Sequence, residues 1–198
     1  MHFNNSNYKK YHSKNYLKQV MIKKFKNKLI KILNNDNNNL TTLLDAGCGE
    51  GFISDFIYNN TKIKNITGID ICSNSINYAK KQNEMIKYEC KNLYKLDYIN
   101  NSFDVVISLE VLEHLEKPEI VLKELIRISK KKLIISVPNE PFFSLGNLLS
   151  FKNVKTLGNP IDHVNKWTKN KFIKFIKQNG VTNFSVVTSF PWTIVIII

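Results

Sequence analysis

The chain has 198 residues, of which 43% are hydrophobic and 23% charged, so length and composition indicate one folded domain and argue against a disordered or fibrous protein. Its net charge is +13, but Arg127 is the single arginine among 29 basic residues. Because proteins that read nucleic acids commonly use the bidentate arginine fork, this lysine-rich charge disfavours nucleic-acid binding and indicates a compositional bias.

The cysteines and the apolar runs bear on the compartment. Cys48, Cys72 and Cys90 are an odd set without the spacing of a zinc site or a disulfide framework. The N-terminus lacks an apolar signal core, and the longest apolar runs fall far below the ~20 residues that span a bilayer. We therefore expect a cytoplasmic protein without a membrane span.

The N-terminal part of the chain predicts an amphipathic helix over residues 16–33, followed by an asparagine-rich linker over 34–39. This divides the chain into a basic helix with its linker, residues 1–39, and a domain over residues 40–198. The lysine face of the helix is either solvated or in peripheral contact with an anionic membrane, and solvation is favoured. His2 and His12 are expected to be solvated. The apolar stripe of the helix recurs every four positions: Leu17, Met21, Phe25, Leu29 and Leu33.

After the linker, short apolar segments alternate with helical patterns, which predicts a parallel sheet with right-handed crossovers. The expected strands cover residues 41–46, 63–70, 85–90, 103–109 and 132–137, and the helices between them 52–58, 73–82 and 118–129.

The regular alternation of predicted strands and helices ends at Val137. A short helix at 142–150 and a glycine-containing loop are expected to form the substrate side, before a helix over 168–178. The final strands, 184–190 and 192–198, should form an antiparallel hairpin, because the link at Pro191 is too short for a crossover. The fold class is therefore α/β, a doubly wound, Rossmann-like sheet that is mostly parallel, with an antiparallel C-terminal hairpin and an N-terminal amphipathic helix.

The strongest chemical signal is the run Leu-Leu-Asp-Ala-Gly-Cys-Gly-Glu-Gly at residues 43–51. A buried strand here enters a glycine turn that opens a helix, which lets the backbone approach a ligand at a helix N-terminus. Asp70 follows at the end of the next strand, the position that binds ribose hydroxyls. The third glycine of the dinucleotide fingerprint is replaced by Phe52, which disfavours an NAD-linked oxidoreductase.

The GxGxG spacing, with Asp45 two residues before the first glycine, resembles motif I of the Rossmann-like S-adenosylmethionine-dependent methyltransferases. The resemblance continues through residues 68–71, 100–106 and 108–115, which end in Leu-Glu-His-Leu. It implies S-adenosylmethionine as the cofactor. The implied contacts are Gly47 and Gly49 at its methionine part, Cys48 and Gly51 in the same cofactor-binding turn, Asp45 at its amino group, Asp70 at the ribose, Ile71 on the adenine, Asn92 and Leu93 at the adenine's polar edge, and Leu109 beside the sulfonium. Many relatives carry aspartate at the position of Asn92.

Such a cofactor brings an activated methyl group, so the protein must mainly position the reactants. A hydroxyl acceptor also requires a base, and histidine is the usual choice. His163 lies in a segment similar to the His-x-x-x-Trp-Ser/Thr stretch of such methyltransferases, and with His114 it is our candidate for the catalytic residues. Trp167 is expected to pack, and Thr168 to cap the following helix. The predicted function is methyl transfer to a small-molecule acceptor, preferably at oxygen.

Two alternatives remain open. Glu110, Glu113 and His114 have the Glu-x-x-Glu-His spacing of quinone-pathway O-methyltransferases, in which such a triplet is thought to hold a divalent metal beside a catechol. A mechanism without a metal is favoured over this one. The other alternative is a non-catalytic subunit that binds S-adenosylmethionine. The sequence does not predict the oligomeric state.

Overall fold

The computed structural model describes residues 6–35, 39–142, 144 and 163–198. Its centre is a seven-stranded sheet with the strand order β3-β2-β1-β4-β5-β7-β6. Strands β1 to β5 are parallel, whereas β7 runs antiparallel to both of its neighbours, β5 and β6. The predicted fold class is confirmed. The strands are β1 Thr42–Ala46, β2 Asn65–Asp70, β3 Lys87–Cys90, β4 Phe103–Leu109, β5 Ser129–Pro138, β6 Phe184–Ser189 and β7 Trp192–Ile197.

Helices cover both faces of the sheet because neighbouring strand residues point to opposite sides. Leu43 and Ile134 belong to the core cluster beneath α2, α3 and α4, and their neighbours Leu44 and Leu133 to the cluster beneath α5 and α6. The helices are α1 Ser6–Tyr11, α2 Tyr16–Asn34, α3 Phe52–Asn60, α4 Ser73–Gln82, α5 Pro118–Ile128 and α6 Lys169–Gln178, and a 3₁₀ turn covers Leu112–His114.

Helix α2 begins where the amide N–H of Lys18 donates to the Asn15 side chain at 3.0 Å, which satisfies one of the free N–H groups of the first turn. Its buried residues join the core cluster of the sheet, so the boundary predicted after residue 39 lies between segments that share one core. Division into two parts stays a prediction. The described residues include no helix with the length and apolar character that a bilayer span requires. The buried residues of α2 are Ile22, Phe25, Leu29 and Leu33.

Helix α1 was not predicted from the sequence, because six residues are too few to show a helical period. The helix predicted over 142–150 lies almost entirely outside the described residues. The hairpin is confirmed, with Ser189 opposite Trp192, and the predicted cap is confirmed by the bond from the Lys171 N–H to the Thr168 hydroxyl at 3.3 Å.

Candidate active site

The glycine turn joins β1 to α3. Gly47, Gly49 and Gly51 have φ values of 87°, 53° and 80°, a left-handed conformation that glycine adopts without steric cost. A Cβ at Gly47 would lie 2.4 Å from a methyl carbon of Val111, and one at Gly51 would lie 2.5 Å from the Tyr88 hydroxyl. Gly47 and Gly51 therefore require glycine for both conformation and space, and Gly49 requires it for conformation.

Asp70, at the end of β2, is tied to the same turn. One of its carboxylate oxygens accepts the Gly49 N–H at 2.9 Å, and the other accepts the Cys72 N–H at 2.8 Å. A carboxylate oxygen has two lone-pair directions, so both oxygens can still accept from ribose hydroxyls. Ile71, the predicted adenine contact, is 52% exposed beside it. The structure thus brings the turn and the ribose candidate together, as the spacing predicts.

Asp45 is buried in the penultimate position of β1. The Ser54 hydroxyl on α3 donates to its carboxylate at 2.6 Å. Burial raises the pKa of Asp45 to about 7, and the nearby Asp70 charge adds to the rise, while the Ser54 hydrogen bond opposes it. A ligand cation at this carboxylate would therefore replace a proton near neutral pH. The sequence did not single out Ser54, which reaches Asp45 from the first turn of α3.

A pocket opens between this turn, the end of β4 and the N-terminal helices. Leu109, the last residue of β4, lines it beside Gly47 and Cys48, as the resemblance implies. The Cys48 thiol is buried and burial raises its pKa, so this residue can serve a ligand through its backbone and not as a thiolate. Lining residues that the sequence did not predict come from α1, α2 and α3: Lys10, Tyr11, Phe25, Phe52 and Ile53.

Asn92 and Leu93 lie in the turn after β3. Asn92 is exposed, and its side-chain oxygen accepts the Tyr94 N–H at 3.0 Å. Leu93 is buried in the cluster beneath α5 and α6. Its contact with adenine would therefore have to come from the backbone. The role of both residues stays a prediction.

The two predicted catalytic histidines come together. The rings of His114 and His163 lie 4.8 Å apart, centroid to centroid, in an edge-to-face arrangement of 79°. The segment of His163 is tied to the turn of His114, because Asn165 donates its N–H to the Glu113 carbonyl at 2.9 Å and its side-chain amide to the Leu115 carbonyl at 2.6 Å.

Glu113 is buried beside these rings, and the ligand-type atoms of Glu113, His114 and His163 lie within 4.8 Å of one another. Glu110, the other member of the predicted Glu-x-x-Glu-His triplet, is ion-paired with Lys10 in the pocket. Burial raises the pKa of the Glu110 carboxyl, but the opposing contributions, led by the charge and the hydrogen bond of Lys10, together outweigh it, so the pKa lies below its usual value. Val111, which directly precedes the turn of His114, packs against Gly47 of the pocket, so the histidine pair lies near the pocket.

Residues 44–135 match the family model described as a methyltransferase domain. The ubiquinone biosynthesis O-methyltransferase, mitochondrial, of Saccharomyces cerevisiae is 30% identical over 152 residues, which cover 71% of this chain and 48% of that protein. The ubiquinone biosynthesis O-methyltransferase of Coxiella burnetii is 31% identical over 106 residues, 50% of this chain and 44% of that protein. The chain thus spans about half the length of these curated relatives.

A solved structure of a putative S-adenosylmethionine-dependent methyltransferase from Methanococcus maripaludis superposes with a TM-score of 0.74 at 16% identity, covering 100% of this chain and 94% of that chain. The domain match, the glycine turn and the fold support a Rossmann-like methyltransferase domain in this chain. More closely, they support a domain of class I, the methyltransferases whose cofactor is S-adenosylmethionine.

Proposed function

We propose that this protein transfers the methyl group of S-adenosylmethionine to an oxygen atom of a small-molecule acceptor. The observation that carries the proposal is the pairing of His114 with His163 near a pocket lined by Asp45, Gly47 and Leu109. The names of the yeast and Coxiella relatives, both O-methyltransferases, support oxygen as the acceptor atom.

The residues of the pocket suit the cofactor. A buried carboxylate, Asp45, fits its amino group, and Asp70 fits its ribose. When bound, the cofactor supplies a methyl group already activated by positively charged sulfur. The protein then has to orient the acceptor and exclude water. His163 accepts the proton that the acceptor hydroxyl loses, and His114 holds the His163 ring through their edge-to-face contact.

The test is turnover. Purified protein is incubated with S-adenosylmethionine and a panel of phenols, catechols and carboxylic acids, and S-adenosylhomocysteine is quantified. We expect product with at least one hydroxyl acceptor. Calorimetric binding of S-adenosylhomocysteine without any turnover would instead favour the non-catalytic subunit, and tight binding of NADH alone would overturn the cofactor assignment.

Replacing Asp70 by alanine should weaken S-adenosylhomocysteine binding by ~1.5–3 kcal/mol, the usual value of hydrogen bonds to a charged group. Calorimetry measures the change. Asp97→Ala is the matched control, because that exposed aspartate pairs with Lys91 on the surface. Equal affinities of wild type and Asp70→Ala would refute the ribose assignment.

Cofactor affinity should depend on pH through Asp45. Because the pKa of this carboxyl is raised to about 7 in the free protein, an ammonium group that binds it must displace a proton at lower pH. Affinity should therefore rise between pH 5 and 7, by up to about tenfold per unit. In Asp45→Asn the rise should disappear, and the same slope in this variant would assign the titration to another group.

A second candidate, metal-assisted transfer to a catechol, is favoured by the Glu113, His114 and His163 cluster. One carboxylate and two imidazoles suit manganese, iron or zinc better than magnesium, which prefers oxygen ligands. The metal would hold and acidify the acceptor, and His163 would be its ligand and not the base. Turnover that a chelator abolishes and manganese restores would support this candidate, whereas chelator-resistant turnover would exclude it.

The sequence favours a solvated lysine face for α2, but the exposed apolar residues at the start of this helix lead us to propose that the face contacts an anionic membrane. The 19 residues of α2 include no aspartate or glutamate. Tyr16 and Leu17 are 78% and 70% exposed at its start, next to the exposed Lys14, Lys23 and Lys24. Apolar and basic groups together suit a lipid surface.

We expect the protein to co-sediment with vesicles that contain phosphatidylglycerol but not with vesicles of pure phosphatidylcholine. In Lys23→Glu/Lys24→Glu, this difference in co-sedimentation should be lost. Binding to neither vesicle would refute the proposal. Cytoplasmic location stays a prediction.

A further inference from the structure

Helix α1 places a lysine inside the cofactor pocket. Lys10 lines the same cavity as Asp45, Gly47 and Leu109, and its ammonium group is ion-paired with Glu110, the residue that follows Leu109. Both side chains are largely withdrawn from solvent, with 16% and 19% of their surfaces exposed. The pair therefore lies within the site and is not a surface salt bridge.

Aromatic rings surround this ion pair. The Lys10 ammonium nitrogen lies 5.2 Å from the centre of the Trp192 ring and 5.4 Å from that of Tyr11. The same helix is fastened to α3 by ring contacts, with Tyr11 at 5.0 Å and Tyr8 at 6.4 Å from Phe52. Helix α1 thus forms a wall of the pocket, from which the Lys10 side chain reaches into the cavity.

Glu110 is also held firmly. It has a φ of 58°, unusual for a residue other than glycine, and its N–H donates to the Ser136 carbonyl at 2.9 Å. The backbone of Glu110 is fixed by β5, whereas Lys10 has a flexible stem of four carbons. If the pair separates, the lysine is therefore the partner that turns away.

The cofactor of this class carries a carboxylate and an amino group on its methionine part. Among the described residues that line the pocket, Lys10 is the one cation, whereas Asp45 and Glu110 are acids. A carboxylate that enters a site with two acids needs a positive partner. Lys10, which neutralises Glu110 in the free protein, is the pocket residue that can supply this positive charge.

We propose that cofactor binding exchanges this ion pair: Lys10 leaves Glu110 for the cofactor's carboxylate, and Glu110 becomes free to act on the acceptor side. This inference rests on the proposed function, since it assumes that S-adenosylmethionine occupies the pocket. In the free protein the Lys10–Glu110 pair closes α1 over the site. In the loaded protein the released Glu110 carboxylate adds a negative charge to the pocket wall, two residues before the turn of His114.

The test compares two probes, S-adenosylhomocysteine and 5′-methylthioadenosine, which lacks the amino-acid part. Lys10→Met should weaken binding of the first by about 10- to 100-fold and leave the second unchanged. Unchanged binding of 5′-methylthioadenosine also shows that the variant is folded. Lys14→Met, in the exposed segment between α1 and α2, is the control and should change neither affinity.

Glu110→Gln should act in the opposite direction. Once Lys10 is no longer held by a charge, S-adenosylhomocysteine should bind about threefold or more tightly. The gain should vanish in the double variant Lys10→Met/Glu110→Gln, because there is then no lysine to release. Weaker binding in Glu110→Gln, or an equal loss of both probes in Lys10→Met, would overturn the exchange. If wild type binds neither probe, the proposed function fails as well, whereas normal wild-type binding with unresponsive variants refutes the exchange alone.

Discussion

Turnover should fall by about 10²–10⁴-fold when His163 is replaced by alanine, because that is the usual contribution of a positioned base. His163 contacts His114, and its segment is anchored to the Glu113 backbone through Asn165. None of these groups belongs to the glycine turn that we assign to the cofactor. The affinity for S-adenosylhomocysteine, measured by calorimetry, should therefore stay within about twofold of wild type.

His163→Asn sharpens this experiment. Asparagine can still hydrogen-bond within the segment but cannot take up a proton at neutral pH. A base role predicts that Asn and Ala variants are equally slow and that both lose the acidic limb of the pH–rate profile. If asparagine restores turnover, or if cofactor affinity and turnover fall together, the histidine only ties its segment to the turn after β4.

Phe172→Ala should lower the free energy of unfolding by about 3–5 kcal/mol, the usual cost of removing a fully buried aromatic ring. Phe172 is 0% exposed on α6, and its ring lies 5.1 Å from that of Trp167. Urea denaturation measures the change. Phe190→Ala removes the same ring at a site that is 55% exposed and should cost far less. Similar costs for the two variants would mean that α6 is not packed as described.

Trp167 packs on Phe172 and belongs to the segment that contains His163, so a change at Phe172 should also affect the site. Its carbonyl accepts the Glu140 N–H at 2.9 Å, which links the segment to the end of β5. A folded Phe172→Ala protein should therefore lose some turnover while it keeps its cofactor affinity. The effect should be smaller than that of His163→Ala, because the base itself is still present.

Local signals in the sequence predicted that the glycine turn and Asp70 lie together. Glycines at three alternate positions permit the turn conformation, and an aspartate at the end of the next parallel strand comes to lie beside that turn. Both features can be predicted from short stretches of sequence. Gly49 and Asp70 are consequently hydrogen-bonded, as the spacing suggests. The strands were predicted at their places, with bounds that differ by up to three residues. Strand β5 begins at Ser129 and not at residue 132, because its first residues are polar and do not extend the apolar run.

The remaining parts of the site depend on tertiary contacts. Ser54 reaches Asp45 only after α3 has folded back on β1, and Lys10 reaches Glu110 across 100 positions of the chain. Helix α1 has no periodicity to detect, and its ring contacts with Phe52 become visible only in three dimensions. His114 and His163 were likewise predicted from two separate motifs, and no local pattern in the sequence indicates that their rings are in contact.

The sheet order has a consequence for biosynthesis. Strand β6 precedes β7 in the chain, yet it joins the sheet only through β7, which lies between it and β5. While a ribosome is still making residues 192–197, the edge of β5 is unpaired and β6 has no partner in the sheet. Unpaired apolar strand edges promote aggregation. The nascent chain is therefore prone to aggregation at a stage when most of its pocket residues have already been synthesised. This stage ends when β7 inserts between β5 and β6, two strands made before it.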